Sequence, residues 1–404
     1  MSTSTKDSLR GNRPVDDIDF AAAEFQRDPW PSYDWYREHE PVHLSQRYGA
    51  YFVFGYEHVR RVMTSPDFTA FHPFRVSRRA FGPTMLDQEG EHHARLRSAA
   101  AAPFRPRAAT EFGRRVVAPL AEGMLDDLLR QRRGDFVARL AERLPMAVVC
   151  HVMGLPDGDS GRLRDLMRPL VEYVDHGTVS LEEVVAARGE LRDYLRDALP
   201  AGPGADGLLN ALAENGTLSE ADVVNTSVLL LAAGTETTAA GITNLLSRVA
   251  AEPEVFRRLS DDRSLVPAVV TETLRHEPPL HVTLRFASRD VTLGGVDIPE
   301  GAPLQVVLAS ANRDPAVYPS PHVWDPERTA RTPLTFGMGR HVCLGMGLAQ
   351  QELEIVLHGV LDRIEELELT GGPLATAQGR TFRAVRDSEC AYRLRTVSDA
   401  GGTT

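Results

Sequence analysis

Near the end of this chain, Phe336-Gly337-Met338-Gly339-Arg340-His341-Val342-Cys343-Leu344-Gly345 sets one cysteine among closely spaced glycines. Residues without a Cβ let the backbone turn tightly and approach a flat ligand. Apolar positions at Leu348, Leu353, Val356 and Leu357 predict a helix from Met346 to about Gly359, so Cys343 stands at a helix start. The positive end of a helix favours thiolate over thiol, and thiolate is the form that ligates metal. Taken by itself, the loop also suits a buried free cysteine. A second stretch, Ala233-Gly234-Thr235-Glu236-Thr237-Thr238, interrupts an apolar run with hydroxyls and a carboxylate. A hydroxyl beside a carboxylate can relay protons. A third pair, His93 and Arg97, is four residues apart and shares one helix face, where two donors can hold a carboxylate.

Each of these groups needs an element to position it. Ser219-Glu220-Ala221-Asp222 is a helix-capping signature, and the helix it opens is expected to run to about Ala251, before Glu252-Pro253. Its apolar middle, 228–233, marks it as buried, and the Gly234 to Thr238 interruption falls in that buried part. Glycine there weakens the helix by about 1 kcal/mol relative to alanine, and a hydroxyl bonded to the preceding turn bends it. Further helices are expected over 56–63, from Glu91, and over 115–130, 144–153, 162–174 and 181–198. Order is expected to begin near Asp28-Pro29-Trp30-Pro31, with a short helix through Arg37, after a disordered tail over residues 1–15. Residues 42–44, 51–54 and 280–286 read as strands, and 291–299 as a hairpin. Pro73, Gly82 and Pro83 break periodicity over 69–88, which reads as a long loop. Glu272 and Arg275, three apart on a helix, can pair with each other.

Bulk properties narrow the class. A charge of −11 disfavours a general binder of nucleic acid or anionic membrane. Three cysteines, at 150, 343 and 390, are too few and too scattered for a disulfide framework or a zinc cluster, which suits reduced cytoplasm. Residues 1–13 are polar and lack the apolar run of a signal peptide or anchor, so a soluble, cytoplasmic protein with no membrane segment is expected. No linker divides the chain, and 16–404 reads as one domain. Neither Gly337-Met338-Gly339 nor Gly345-Met346-Gly347 is followed by the third glycine of a dinucleotide-binding turn, so electrons must come from another protein.

The cysteine loop resembles the proximal haem loop of the cytochrome P-450 family, and 233–238 resembles that family's distal oxygen-activating signature, with Glu236 in the acidic position. His93 and Arg97 are similar to its propionate site, and Glu272 and Arg275, with Arg328 further on, to its buried E-x-x-R network. The resemblance covers essentially residues 28 to 395. It implies a mainly α fold with small β-sheets, and haem b (iron protoporphyrin IX) held between a long distal helix and the cysteine loop. Cys343 is then the metal ligand. His93, Arg97, Arg285, His341, Phe336, Gly337, Ala233 and Gly234 bind the cofactor, and Thr237 and Glu236 are catalytic. Thiolate ligation favours O–O cleavage. The implied activity is a monooxygenase using O2 and electrons from a ferredoxin and ferredoxin reductase to oxidise a small molecule, by analogy with soluble bacterial members a secondary metabolite. Substrate walls are expected from 69–88, 166–179, 228–235 and 280–284. A peroxide-using peroxygenase is disfavoured by the presence of Glu236 and Thr237, and a non-catalytic haem protein by the presence of Cys343.

Overall fold

The structure, a computed structural model, describes residues 17–131, 136–175, 177–199, 206–329, 331–370, 374, 376–385 and 390–395. The tail expected over 1–15 lies outside these residues. Helices form the bulk, organised around the 31-residue helix Glu220–Ala250. Its start is the predicted one. The Ser219 hydroxyl accepts from the Asp222 amide at 3.1 Å, and the Asp222 carboxylate accepts from the Ser219 amide at 3.0 Å. This reciprocal cap satisfies donors the first turn leaves open and contributes about 1 kcal/mol. An equivalent box at Ser180 opens helix Leu181–Ala198, whose bounds match the periodicity.

Around the long helix pack Phe136–Met153, Ser160–Asp175 and Met346–Arg363, their buried leucines and valines forming one continuous core. Phe136–Met153 begins earlier than the expected 144, and Pro145 lies deep inside it. A proline in a helix interior removes a backbone hydrogen bond. Here burial of Val148, Val149 and Cys150 against the core outweighs that loss.

Strands β1 (Val42–Ser45), β2 (Ala50–Val53), β3 (Phe68–Thr69), β4 (Val282–Ala287), β5 (Val291–Leu293), β6 (Val296–Ile298) and β7 (Pro303–Val307) come next in importance. Five of them form a sheet in the order β1-β2-β7-β4-β3, with only β2 and β7 parallel. The expected hairpin is β5 paired with β6. A separate ladder joins β8 (Ile364–Leu369) to β9 (Cys390–Leu394).

Three further expectations change. Order does not wait for Asp28: helix Ala23–Arg27 precedes it, with Ile18 and Phe25 buried against the sheet-side core. Residues 69–88 are not one loop, since helix Val76–Phe81 lies within them and buries Ala80 and Phe81. The Arg75 guanidinium, itself buried, donates to the Ala70 carbonyl at 2.8 Å and the Leu86 carbonyl at 3.2 Å, tying the ends of the segment together. The helix after Cys343 continues past Gly359 to Arg363, because Val360 and Leu361 are still buried.

Candidate active site

The cysteine loop is closed by its own backbone: the Cys343 amide donates to the Phe336 carbonyl at 2.9 Å. Gly337 and Gly339 have φ of +71° and +75°, a region that disfavours side chains. At Gly339 a Cβ would lie 2.6 Å from the Met63 carbonyl oxygen, so the glycine there also permits a close approach of two backbones. Cys343 is solvent-accessible although protein packs closely around it. Burial raises its thiol pKa, while the Gly345 and Met346 amides and the Arg97 charge pull the other way. The helix start therefore does what the sequence suggests, but in the protein alone burial wins.

The helix Gly90–Ala100 brings Arg97 near this thiol and His93 against His341 of the same loop. His93 is 6 % exposed, and its Nε2 has no hydrogen-bond partner. Burial, then the neighbouring His341, lowers its pKa to about 4, so at neutral pH it is an uncharged donor or acceptor rather than a cation. Its ring lies 4.4 Å from that of His341. Arg97 makes no hydrogen bond or ion pair among the described residues, and burial lowers its pKa. On β4, Arg285 is buried and among the described residues donates only to the adjacent Leu284 carbonyl at 2.9 Å, with its pKa lowered to about 10 by burial. Buried donors are nearly always paired. The unpartnered His93 Nε2 and Arg97, with the buried Arg285 bonded only to its neighbour's carbonyl among the described residues, lie beside His341 and Cys343. Such donors fit a flat, anionic metal ligand, and haem with its propionates has that chemistry.

One residue of this cluster was missed in the sequence. Glu89, immediately before the helix, accepts from His341 Nε2 at 3.1 Å, from the Ala70 amide at 2.8 Å and from Arg340 at 3.4 Å. Burial opposes its ionisation, but these contacts prevail and hold it at about 2. His341 is thereby fixed by Glu89, with one ring nitrogen already committed.

Behind the loop, Arg275 grips both oxygens of Glu272 at 2.7 Å, and Arg328 reaches Glu272 at 3.3 Å. The network expected of Glu272, Arg275 and Arg328 is therefore formed as a triad. Arg275 also donates to the Asn312 carbonyl at 3.0 Å, and the Asn312 side chain accepts from the Leu334 amide at 2.7 Å and donates to the Thr335 hydroxyl at 2.9 Å. This chain of bonds runs from the triad to the first residues of the cysteine loop.

On the long helix, Ala233 is exposed and Gly234, Glu236 and Thr237 are half-buried, while Leu231, Ala232, Thr235 and Thr238 are buried, so one stripe of this core helix is left open. Thr237 Oγ1 donates to the Ala233 carbonyl at 3.0 Å, and Thr235 Oγ1 to the Leu231 carbonyl at 2.7 Å. One turn beyond Thr237, Gly241 packs on Leu353 of the post-cysteine helix: a Cβ there would meet the leucine at 3.3 Å. Hydroxyl, carboxylate and cysteine loop are thus carried on two helices in direct contact.

A cytochrome P450 family model matches residues 192–373. Over nearly the whole chain, the sequence is 31% identical to the cytochrome P450 monooxygenase PikC of Streptomyces venezuelae, covering 91% of this chain and 92% of that one. The chain belongs to the cytochrome P450 family. This P450 is also 35% identical to 20-oxo-5-O-mycaminosyltylactone 23-monooxygenase of Streptomyces fradiae, over 78% of this chain and 76% of that one. The solved structure of CalO2 superposes with a TM-score of 0.84 at 28% identity, covering 94% of this chain and 99% of CalO2. The P450 is an oxidoreductase, and its family implies a haem iron, a small-molecule substrate, O2 and a redox partner. Among the described residues, no helix is long and apolar enough to cross a membrane.

Proposed function

We propose that this P450 binds haem b through Cys343 and oxidises a secondary-metabolite intermediate of medium size, with O2 as oxidant and a ferredoxin as electron donor. The observation that carries the reading is the accessible Cys343 thiol in a loop flanked by two donors without a partner among the described residues, His93 and Arg97, and by the buried Arg285, bonded only to the Leu284 carbonyl. When bound, the haem supplies activation of O2 and transfer of one oxygen atom to the substrate. The chain supplies the rest. Amides at the start of Met346–Arg363 favour the thiolate that Cys343 must present. Arg97, Arg285 and the neutral His93 hold the propionate carboxylates. Thr237, with Glu236 beside it on the same turn, holds and passes protons on the substrate side of the cleft. Both named relatives act in this kind of chemistry by their names, one as a monooxygenase and the other on a tylactone derivative. The reduced carbon monoxide complex provides the test. Cys343→Ser and Cys343→His should abolish its thiolate-type absorbance, and survival of that absorbance in either variant would remove Cys343 from the metal.

The donor is assigned from charge. Arg95, Arg105 and Arg107 are exposed and make no ion pair among the described residues, whereas Arg114 lies 2.8 Å from Glu111. The adjoining helix Pro106–Phe112 is bonded to the post-cysteine helix through Gln351 and Thr110 at 3.0 Å. Three free guanidiniums on the cysteine side suit an acidic ferredoxin and make its docking sensitive to salt.

A further inference from the structure

A groove of about 400 Å³ lies between helices Ala118–Gln131, Phe136–Met153 and the start of Ser160–Asp175. That volume is within the range of small-molecule sites. Its apolar part is Leu120 and Met124 on one side and the buried Met146 and Ala147 on the other. Guanidiniums of Arg143 and Arg164 stand at the rim. Each is weakly engaged: among the described residues Arg164 has one hydrogen bond, to the Glu142 carbonyl at 3.3 Å, and Arg143 has one ion contact, to Asp127 at 3.7 Å. Both are free to swing onto an incoming anion. Arg139, Glu142 and Asp157 also line the groove, with Asp157 Oδ1 2.8 Å from His151 Nε2, and the two acids disfavour a polyanion.

We infer that this groove is a second ligand site, separate from the haem cleft, for a small amphiphilic monocarboxylate whose apolar body lies on Met124, Met146 and Ala147 and whose carboxylate meets Arg143 and Arg164. The site communicates with the oxygen-side helix. Met146, which lines the groove, has its Sδ 4.0 Å from Thr235 Oγ1. One turn on, Val149 packs so tightly on Gly234 that a Cβ there would lie 2.6 Å from it. An occupant that shifts Met146 therefore moves the turn just before Thr237.

The test uses holoenzyme with ε-13C-methionine labelling, decanoate as probe, and an iron-ligating azole to block the haem cleft. Decanoate should shift the Met124 and Met146 methyl resonances with the azole present. Ala147→Phe, which fills the groove from its floor, should weaken binding at least roughly tenfold; if that variant does not fold, Met124→Trp fills it from the wall. The double variant Arg143→Gln, Arg164→Gln should weaken decanoate by about tenfold and bring it level with decanol, as expected when charge-assisted bonds are lost. Absence of methyl shifts, their loss when the azole is bound, or equal decanoate affinity in the arginine variant would each overturn the assignment.

Discussion

Replacing Glu89 with glutamine removes one negative charge from the point where the segment before the His93 helix meets the cysteine loop. The carboxylate is pulled from 4.5 to about 2, because bonds from His341 and the Ala70 amide and the charge of Arg340 overcome the cost of burial. At 1.36 kcal/mol per unit, that displacement corresponds to about 3 kcal/mol at neutral pH. The side chain is 25% exposed, and screening by solvent reduces the expected value to about 2 kcal/mol. The folded value lies below the unfolded one, so this stabilisation is fully present above pH 4.5 and is lost as pH falls toward about 2. Urea unfolding of wild type and Glu89→Gln, followed at several pH values, measures it. The variant should be less stable by about 2 kcal/mol at pH 7, and the gap should narrow below about pH 4.5 because glutamine does not titrate. A gap under about 0.5 kcal/mol at pH 7, or one that widens on acidification, would refute the assignment of Glu89 as the ionised anchor of His341.

Other perturbations separate the remaining roles. Thr237→Ala should leave haem content and substrate affinity intact while product per reducing equivalent falls and hydrogen peroxide rises; unchanged coupling would take the Thr237 hydroxyl out of proton delivery. Arg275→Met leaves Glu272 buried without its bidentate partner and should cost about 3–5 kcal/mol, read as loss of folded, haem-retaining protein; Arg275→Met combined with Glu272→Leu should recover part of that loss. Charge reversal at Arg95, Arg105 and Arg107 should slow ferredoxin-driven turnover and flatten its salt dependence, leaving peroxide-driven turnover unchanged. Equal loss in both assays would place these arginines in folding instead of docking.

Local chemistry was legible in the sequence wherever a residue's neighbours in the chain are also its partners in space. The Ser219 and Asp222 box, the Leu181–Ala198 helix and the β5–β6 hairpin are of this kind, and all three form as their spacing dictates. The cysteine loop belongs with them, since the Phe336 carbonyl that closes it is only seven positions from Cys343. Helix ends were less legible where burial overrides a breaker: the helix expected over 144–153 starts at Phe136, because Val137, Leu140, Ala141 and Leu144 on the far side of Pro145 are buried in the core. Short elements between breakers fared similarly, as Val76–Phe81 shows.

Groups held by distant partners left the weakest sequence signal. Glu89 stands 252 positions from His341, and nothing in the stretch Asp87-Gln88-Glu89-Gly90 separates this acid from a solvated one. Asn312 falls in the stretch 311–315 that the family resemblance covers, but nothing local names its partners: its side chain ties the Leu334 amide and the Thr335 hydroxyl to a backbone already held by Arg275. Together these two residues brace the cysteine loop from opposite ends, Asn312 at its entry and Glu89 at Arg340 and His341. A metal ligand must be held within about 0.5 Å of its working position, and glycines at 337, 339 and 345 give this loop little stiffness of its own. The rigidity that Cys343 needs is therefore supplied from outside the motif, by an acid and an amide that the motif does not contain.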